Sequence, residues 1–373
     1  MLSKTFFEEI SWPIVELYVK CENRLLSQII KQAKKGADFS GKKLEWDMRK
    51  LNDLGGLTKG AVKTIAQTSK QANVLLNRIL LEVAKKAIAE SGYTEPSQGV
   101  FRAVQALQSQ AKSTLNIVNT TMLAGTQDSF GELVAVLNNE RNKILNQSAV
   151  DLVTGTKTFQ QNVAHTIKEL SDNGIIAFRD KAGRDWSPEG YVSMDMRTTS
   201  AKVAREAVQA QANDFNMNVF QVSSHAGARP KCAPYQGRFY SDNGTSGVIE
   251  DAHGNKYEYE PIERTSYGEP DGLFGINCGH DRIYVSEGFY NRREPLTEEQ
   301  LEENRKIYER SQQQRAIERD IRKYQREADN LKEAGYKNFS DIAEGKARQA
   351  RDEYRSFCNE TGRTPRWDRT RVY

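Results

Sequence analysis

The residues of this chain with the richest chemistry lie in two short stretches. Residues 221–241 read QVSSHAGARPKCAPYQGRFYS and residues 275–280 read GINCGH. Together they supply His225, Cys232, Cys278 and His280, an H-x6-C pattern followed by C-x-H, in a chain with only four cysteines and four histidines. Two thiolates and two imidazoles are the ligand set of a closed tetrahedral structural zinc site, which can fasten a module too small to bury a core of its own. Gly227, Gly237 and Gly279 add backbone freedom to curl around an ion. The spacing is looser than a zinc finger's, so three other readings stay open. One cysteine could be a nucleophile, with His225 or His280 as its base and Arg229 as an oxyanion or phosphate clamp. Cys232 and Cys278 could form a disulfide, which a reducing compartment disfavours. Or His225, Arg229 and Asn277 simply hydrogen-bond the turns of a hairpin.

No signature of a cysteine hydrolase surrounds these cysteines, and the chain has no HExxH, P-loop or Rossmann glycine fingerprint. The other residues with a chemical pattern close the chain. TGRTPRWDRTRVY carries Arg363, Arg366, Arg369 and Arg371 against Asp368, interleaved with Trp367 and Tyr373. It reads either as a solvated, frayed terminus or as an arm that touches DNA phosphate.

Most of the chain has helical periodicity. From Ser11 to about Ala33, Ile14, Leu17, Tyr18, Cys21, Leu25, Ile29 and Ile30 form one apolar face, with Pro13 in the first turn and Cys21 in the packing stripe. A second helix with Trp46, Met48 and Leu51 is expected to stop at Gly55-Gly56, and Thr58 to cap a third that carries Val62, Ile65, Ala72, Leu76, Ile79 and Val83. Residues 91–97 read as a loop, 101–172 as long polar helices that include His165, 180–190 as a turn-rich loop and 199–213 as one more helix. The character then changes. NVFQVSS, GRFYS, GVIED, KYEYE and DRIYVS are short, β-branched or aromatic, and bounded by turn residues, with His253 at a hairpin tip. After them, Thr297-Glu298-Glu299-Gln300 is a capping box, a heptad-like stripe runs through Ile317, Ile321, Tyr324, Ala328 and Leu331 to Gly335, and a last helix over 340–359 packs Cys358 inward.

The fold class expected is α+β: a mostly helical, elongated N-terminal region (1–217) for assembly contacts, a small β-rich Cys/His module (218–290) with a candidate metal site, and a helical C-terminal arm with a basic tail (291–373). The net charge of +4 is too mild to announce a nucleic-acid binder by itself. No apolar run approaches the roughly 20 residues that span a bilayer, and the N-terminus lacks the pattern of a secretion signal. A soluble protein made in the cytosol is expected.

SSHAGARPKCAPYQGRFYS, YGEPDGLFGINCGHDRIYVSEG, QRAIERDIRKYQRE and RSFCNETGRTPR occur in an order that resembles the phage minor capsid protein 2 family, over nearly the whole chain. The match falls on Ser224, His225, Gly227, Ala228, Arg229, Pro230, Gln236 and Gly237, then on Gly275, Asn277, Cys278 and His280. Cys232 stands where the family pattern has His, and Arg238 where it has Lys. Cys and His are poor substitutes in packing and good ones as zinc ligands, which favours the metal reading over a plain hairpin. The hairpin at 248–259 has no counterpart in the pattern. The resemblance implies a structural minor head protein of a tailed bacteriophage, present in few copies in the capsid interior or near the portal. Its implied partners are portal protein, major capsid protein or scaffold, and packaged DNA, with assembly in the host cytoplasm. A phage-delivered enzyme, a nuclease or an ADP-ribosyltransferase-like toxin, is the alternative.

Overall fold

The structure, a computed structural model, describes residues 2–35, 43–146, 159–175, 178–180, 183, 185–291 and 293–372. The side chains of Trp46 and Met48, residues 147–158 of the expected polar helices, Ile176 and Ala177, Lys181, Ala182 and Arg184 of the turn-rich loop, and Tyr373 lie outside them. Among the described residues are seven α-helices and seven short strands. None of these helices is long and apolar enough to cross a membrane.

The first helix, α1 (Lys4–Lys34), starts seven residues before Ser11 and carries Pro13 in its interior, not in its first turn. Ser3 opens it by accepting the Phe6 N–H on its hydroxyl at 3.1 Å. The buried stripe of Ile14, Tyr18, Cys21, Leu25, Ile29 and Ile30 is the one its periodicity calls for. The break expected at Gly55-Gly56 does not occur, because α2 runs unbroken over Lys43–Glu90. Small residues there let α1 approach: a Cβ on Gly56 would stand 3.4 Å from the Gln32 amide, and one on Gly60 3.3 Å from the Gln28 amide. Thr58 is accordingly no cap. Its hydroxyl bonds back to the Leu54 carbonyl at 2.9 Å and accepts the Gln127 amide at 3.2 Å. The remaining helices are α3 (Gln98–Asn146), α4 (Phe159–Asn173), α5 (Pro188–Asp214), α6 (Glu298–Glu333) and α7 (Lys337–Thr361).

Two compact units divide the chain. One comprises Met1–Val15, Ala72–Thr114 and Val192–Gln313, and the other Glu16–Gln71, Leu115–Tyr191 and Gln314–Tyr373. The first holds the whole segment 218–290, where β3 (Val219–Val222), β4 (Phe239–Ser241), β5 (Gly247–Glu250), β6 (Lys256–Pro261) and β7 (Arg282–Tyr284) form one mixed sheet. Its order is β5-β6-β4-β3-β7, antiparallel throughout except for the parallel pair β4 and β6. Central β3 is buried on both faces, as its apolar run with a single Gln requires. Phe220, Val222 and Tyr240 pack on one side with Ile262, Leu273, Cys232 and Cys278. Val219, Phe239 and Ile249 form a second cluster with Tyr257 and Phe289. The capping box is present, Thr297 N–H to Gln300 at 2.9 Å and Gln300 N–H to Thr297 at 3.3 Å, and it starts α6.

The second unit is helical apart from a two-stranded ribbon, β1 (Phe178–Arg179) against β2 (Asp185–Trp186). Its cores contain polar nodes. Glu22 of α1 is fully buried, accepts the Ile175 N–H at 3.0 Å and faces the Arg326 guanidinium of α6 at 3.4 Å. Burial raises its carboxyl to about 7, with Arg326 pulling the other way. An unfolded chain releases that proton near 4.5, so between the two values the folded state binds more protons and loses stability as pH rises. The Glu22→Gln variant does not titrate there. The difference in unfolding free energy, wild type minus variant, should therefore fall by about 3 kcal/mol across that window and then level off, as measured by denaturant titration at each pH. A difference that stays flat with pH would contradict the protonated Glu22.

Candidate metal centre

Local geometry explains both sequence stretches. In the first, Gly227 adopts φ +69°, and a Cβ there would meet the Ile307 side chain at 3.1 Å. Asn304 of α6 then grips the neighbouring peptide from both sides, accepting the Ala228 N–H at 2.9 Å and donating to the Ala228 carbonyl at 2.8 Å. Gln236 accepts the His225 N–H at 2.6 Å, so the loop folds back on itself. The chain then turns through Cys232 into a short 3-10 helix at Ala233–Tyr235.

In the second stretch, tight turns present Cys278 and His280. A Cβ on Gly275 would lie 2.6 Å from the carbonyls of Glu269 and Pro270, so only glycine fits. Phe274 and Asn277 are left-handed, at φ 60° and 57°. The Asn277 N–H is held by the Thr198 hydroxyl of α5 at 3.2 Å. Ser223, just past β3, fixes the backbone of Asp281: its N–H donates to the Asp281 carbonyl at 3.0 Å and its hydroxyl accepts the Asp281 N–H at 2.8 Å.

Arg229 joins the two stretches by donating to the carbonyls of Asp271 at 2.5 Å and Ile276 at 2.8 Å. A guanidinium engaged in this way is a strut between loops, not an oxyanion clamp. The result is a buried group in which one donor atom each from Cys232, Cys278 and His280 lies within 4.8 Å of the others. Both cysteines are free thiols. His225 is half-buried and lays its ring on that of His280, with centroids 4.4 Å apart.

The electrostatics centre on the Cys278 sulfur. It accepts the Phe274 N–H at 3.2 Å and lies 3.2 Å from Nδ1 of His280. The Cys232 thiol, donating to it, then His280 and the buried Arg205 guanidinium hold the Cys278 thiol well below the ordinary thiol range against the cost of burial. The same hydrogen bond, together with burial, pushes Cys232 up. Arg205 of α5 is anchored on the carbonyls of His280 at 3.3 Å and Phe274 at 3.1 Å. Two cysteine sulfurs and an imidazole at these separations suit a soft-leaning divalent ion. Across a tetrahedral zinc, sulfur and nitrogen ligands stand about 3.5 Å apart. The 3.2 Å between Cys278 and His280 is a little tighter than that. The His280 Nε2 is buried without a hydrogen-bond partner, an unsatisfied nitrogen that a bound ion would satisfy.

The other expected residues sit elsewhere. Cys21 and Cys358 are buried in helical cores. His165 pairs with Glu169 one turn along α4 at 3.4 Å, and His253 lies in the β5–β6 turn against the Tyr290 ring at 5.7 Å. The C-terminal segment is not frayed. Trp367 packs edge-on against Tyr354 at 5.0 Å and Thr370 is buried. Arg363 donates to Gln314 at 2.5 Å, Arg366 pairs with Asp368 at 3.3 Å, the Arg369 carbonyl accepts from Arg322, and Arg371 is exposed. Arg205, Asn304, Ser223 and Thr198 are the positioning residues that motif reading overlooked. Only Asn304 carries a signal, as an amide flanked by charged residues near the start of a charged helix.

With this geometry in place, comparison with known proteins places the chain. The phage minor capsid protein 2 family matches over residues 2–359, and the chain belongs to that family. It is thereby a structural protein of the phage head. A "Structural protein" of Lactococcus phage LL-H is 27% identical, over 92% of this chain and 94% of the relative. No solved structure matches the chain.

Removing the Asn304 amide strands two buried peptide groups. Asn304→Ala should cost about 2–4 kcal/mol in urea unfolding, whereas Glu303→Ala on the adjacent exposed position should cost less than about 0.5 kcal/mol. Equal small effects would show that Asn304 does not hold the His225–Cys232 loop.

Proposed function

We propose that this chain is a non-enzymatic structural protein of the capsid interior, built in at few copies near the portal, the major capsid protein or the scaffold, and close to packaged DNA. On this reading the β module acts as a rigid fitting whose loops are clasped by one zinc ion on Cys232, Cys278 and His280, with His225 as fourth ligand. The observation that carries the clasp is the buried convergence of Cys232, Cys278 and His280 from segments more than forty residues apart. Burial also weighs against catalysis: Cys232, Cys278 and His280 expose 2%, 6% and 1% of their surfaces, whereas a nucleophile and its base must reach substrate. Zinc would serve here by replacing the thiol–thiolate hydrogen bond with two metal–sulfur bonds, which ties the loops together. Contact with DNA through the tail falls to the exposed Arg371 more than to Arg363, whose guanidinium already holds Gln314, or to Arg366, which pairs with Asp368.

Two measurements test the reading separately. Purified virions or proheads should contain the chain at low copy number, and its absence from both would sink the placement in the head. Elemental analysis of the full-length protein should give one zinc per chain, lost in Cys232→Ser and in His280→Ala with a fall in melting temperature, and retained but more easily stripped by chelator in His225→Ala. Wild-type protein that melts identically with and without chelator, and carries no zinc, would remove the clasp. Cleavage of nucleic acid by the pure protein, abolished in His225→Ala, would instead favour the enzyme.

A further inference from the structure

Helix α2 carries a long run of cations with few carboxylates among them. Between Asp53 and Glu90 the chain has Lys59, Lys63, Lys70, Arg78, Lys85 and Lys86, and a single carboxylate, Glu82. All six cations are exposed. The steps from Lys59 through Lys63, Lys70 and Arg78 to Lys85 are four, seven, eight and seven residues, which at 3.6 residues per turn keeps all five within about 100° of one helix face. The buried positions Ala61, Ile65, Ala72, Leu76, Ile79 and Val83 occupy the opposite face. Among the described residues none of these five cations is held in an ion pair. On α6, by contrast, Arg305 pairs with Glu302 and Glu309, and Lys306 with Glu303.

Cations kept on one face without counter-charges are held at an electrostatic cost that a polyanion relieves. The chemistry of the face selects among polyanions. It has no aromatic residue between 54 and 89, so it offers no platform on which single-stranded bases could stack. It also lacks the aromatic anchors that usually carry a protein–protein interface. What it offers is flexible ammonium groups in series, with the exposed amides of Gln67, Gln71 and Asn77 between them. That is a complement for regularly spaced phosphates. We infer that the outer face of α2 binds the phosphate backbone of duplex DNA without sequence preference. This inference rests on the placement of the chain in the head beside packaged genome.

The test uses the full-length protein and a random-sequence DNA duplex, with affinity measured across a series of salt concentrations. Neutralising three phosphate contacts in the triple variant Lys59→Gln, Lys63→Gln, Lys70→Gln should make the slope of log K against log salt shallower by about three. The double variant Arg305→Gln, Lys306→Gln, on α6 cations already paired with Glu302, Glu309 and Glu303, should leave the slope within about one of wild type. Unfolding midpoints check that each variant is folded, since Lys and Gln have nearly equal helix propensity. An unchanged slope in the folded triple variant, or wild-type protein that fails to bind duplex at low salt, overturns the inference while leaving the head placement intact. If the triple variant binds DNA normally but drops out of particles, α2 faces an acidic protein and the inference is likewise overturned. Absence of the wild-type chain from particles would remove the head placement, and the salt slope would still report on α2.

Discussion

A buried sulfur atom toward which donors and positive charge are directed is the constraint around which the β module is built. Taking a thiolate out of water is costly, and it persists only if the surroundings supply donors and positive charge. Around Cys278 they come from four directions: the Cys232 thiol, the Phe274 N–H, the His280 ring and the Arg205 guanidinium. Each donor in turn demands a feature of the chain. The Phe274 N–H points inward because Phe274 and Asn277 are left-handed and Gly275 lets the turn pass close to the Glu269 and Pro270 carbonyls. Arg205 is a charge that is itself buried, so it must direct its donors to the carbonyls of the same turn. The module is thus held by its two apolar clusters together with mutual compensation among polar groups, none of which would be stable there alone.

The helical unit follows the same logic with different groups. Tyr354 of α7 is fully buried, and its hydroxyl donates to Glu318 at 2.7 Å while accepting from Gln314 at 3.0 Å and from the Arg366 N–H at 2.8 Å. An apolar stripe of Ile321, Ala350, Tyr354 and Cys358 would tolerate sliding of α7 along α6, since its energy depends mainly on area. A hydroxyl with three partners tolerates one register only, because any slip leaves polar groups buried and unpaired. The Arg366 contact also explains why the basic tail is ordered: its backbone completes a node that the helices need.

These dependencies decide what could be read from the sequence. Periodicity locates the α1 stripe, the α6 capping box and the five strands of the module, because area burial and turn chemistry are local. It misplaces the break at Gly55-Gly56, since the compensating contacts, Gln32 and Gln28 of α1, lie more than twenty residues away in the chain. The same limit applies at the candidate metal centre. Cys232, Cys278 and His280 are legible as a donor set, and Gly275 and Asn277 as turn residues, because those residue types are rare or conformationally special. Arg205, Ser223 and Thr198 are not, because in sequence they are ordinary residues of a helix and a strand end. Their role exists only once a distant carbonyl or hydroxyl needs them.

Charge is distributed along the helices by two different rules. The whole chain is nearly balanced, with 54 basic and 50 acidic residues, so its mean says little about partners. Where both signs are needed for stability they are interleaved, as along α6. Interleaving is the expected state of a solvated helix, because opposite charges one turn apart stabilise it by a few tenths of a kcal/mol per pair. A helix that forgoes those pairs over ten turns, as α2 does, gains nothing for its own fold by doing so. On the inference drawn above, its pattern serves a partner outside the chain. On the proposed placement beside packaged DNA, the densest negative charge at hand is the genome.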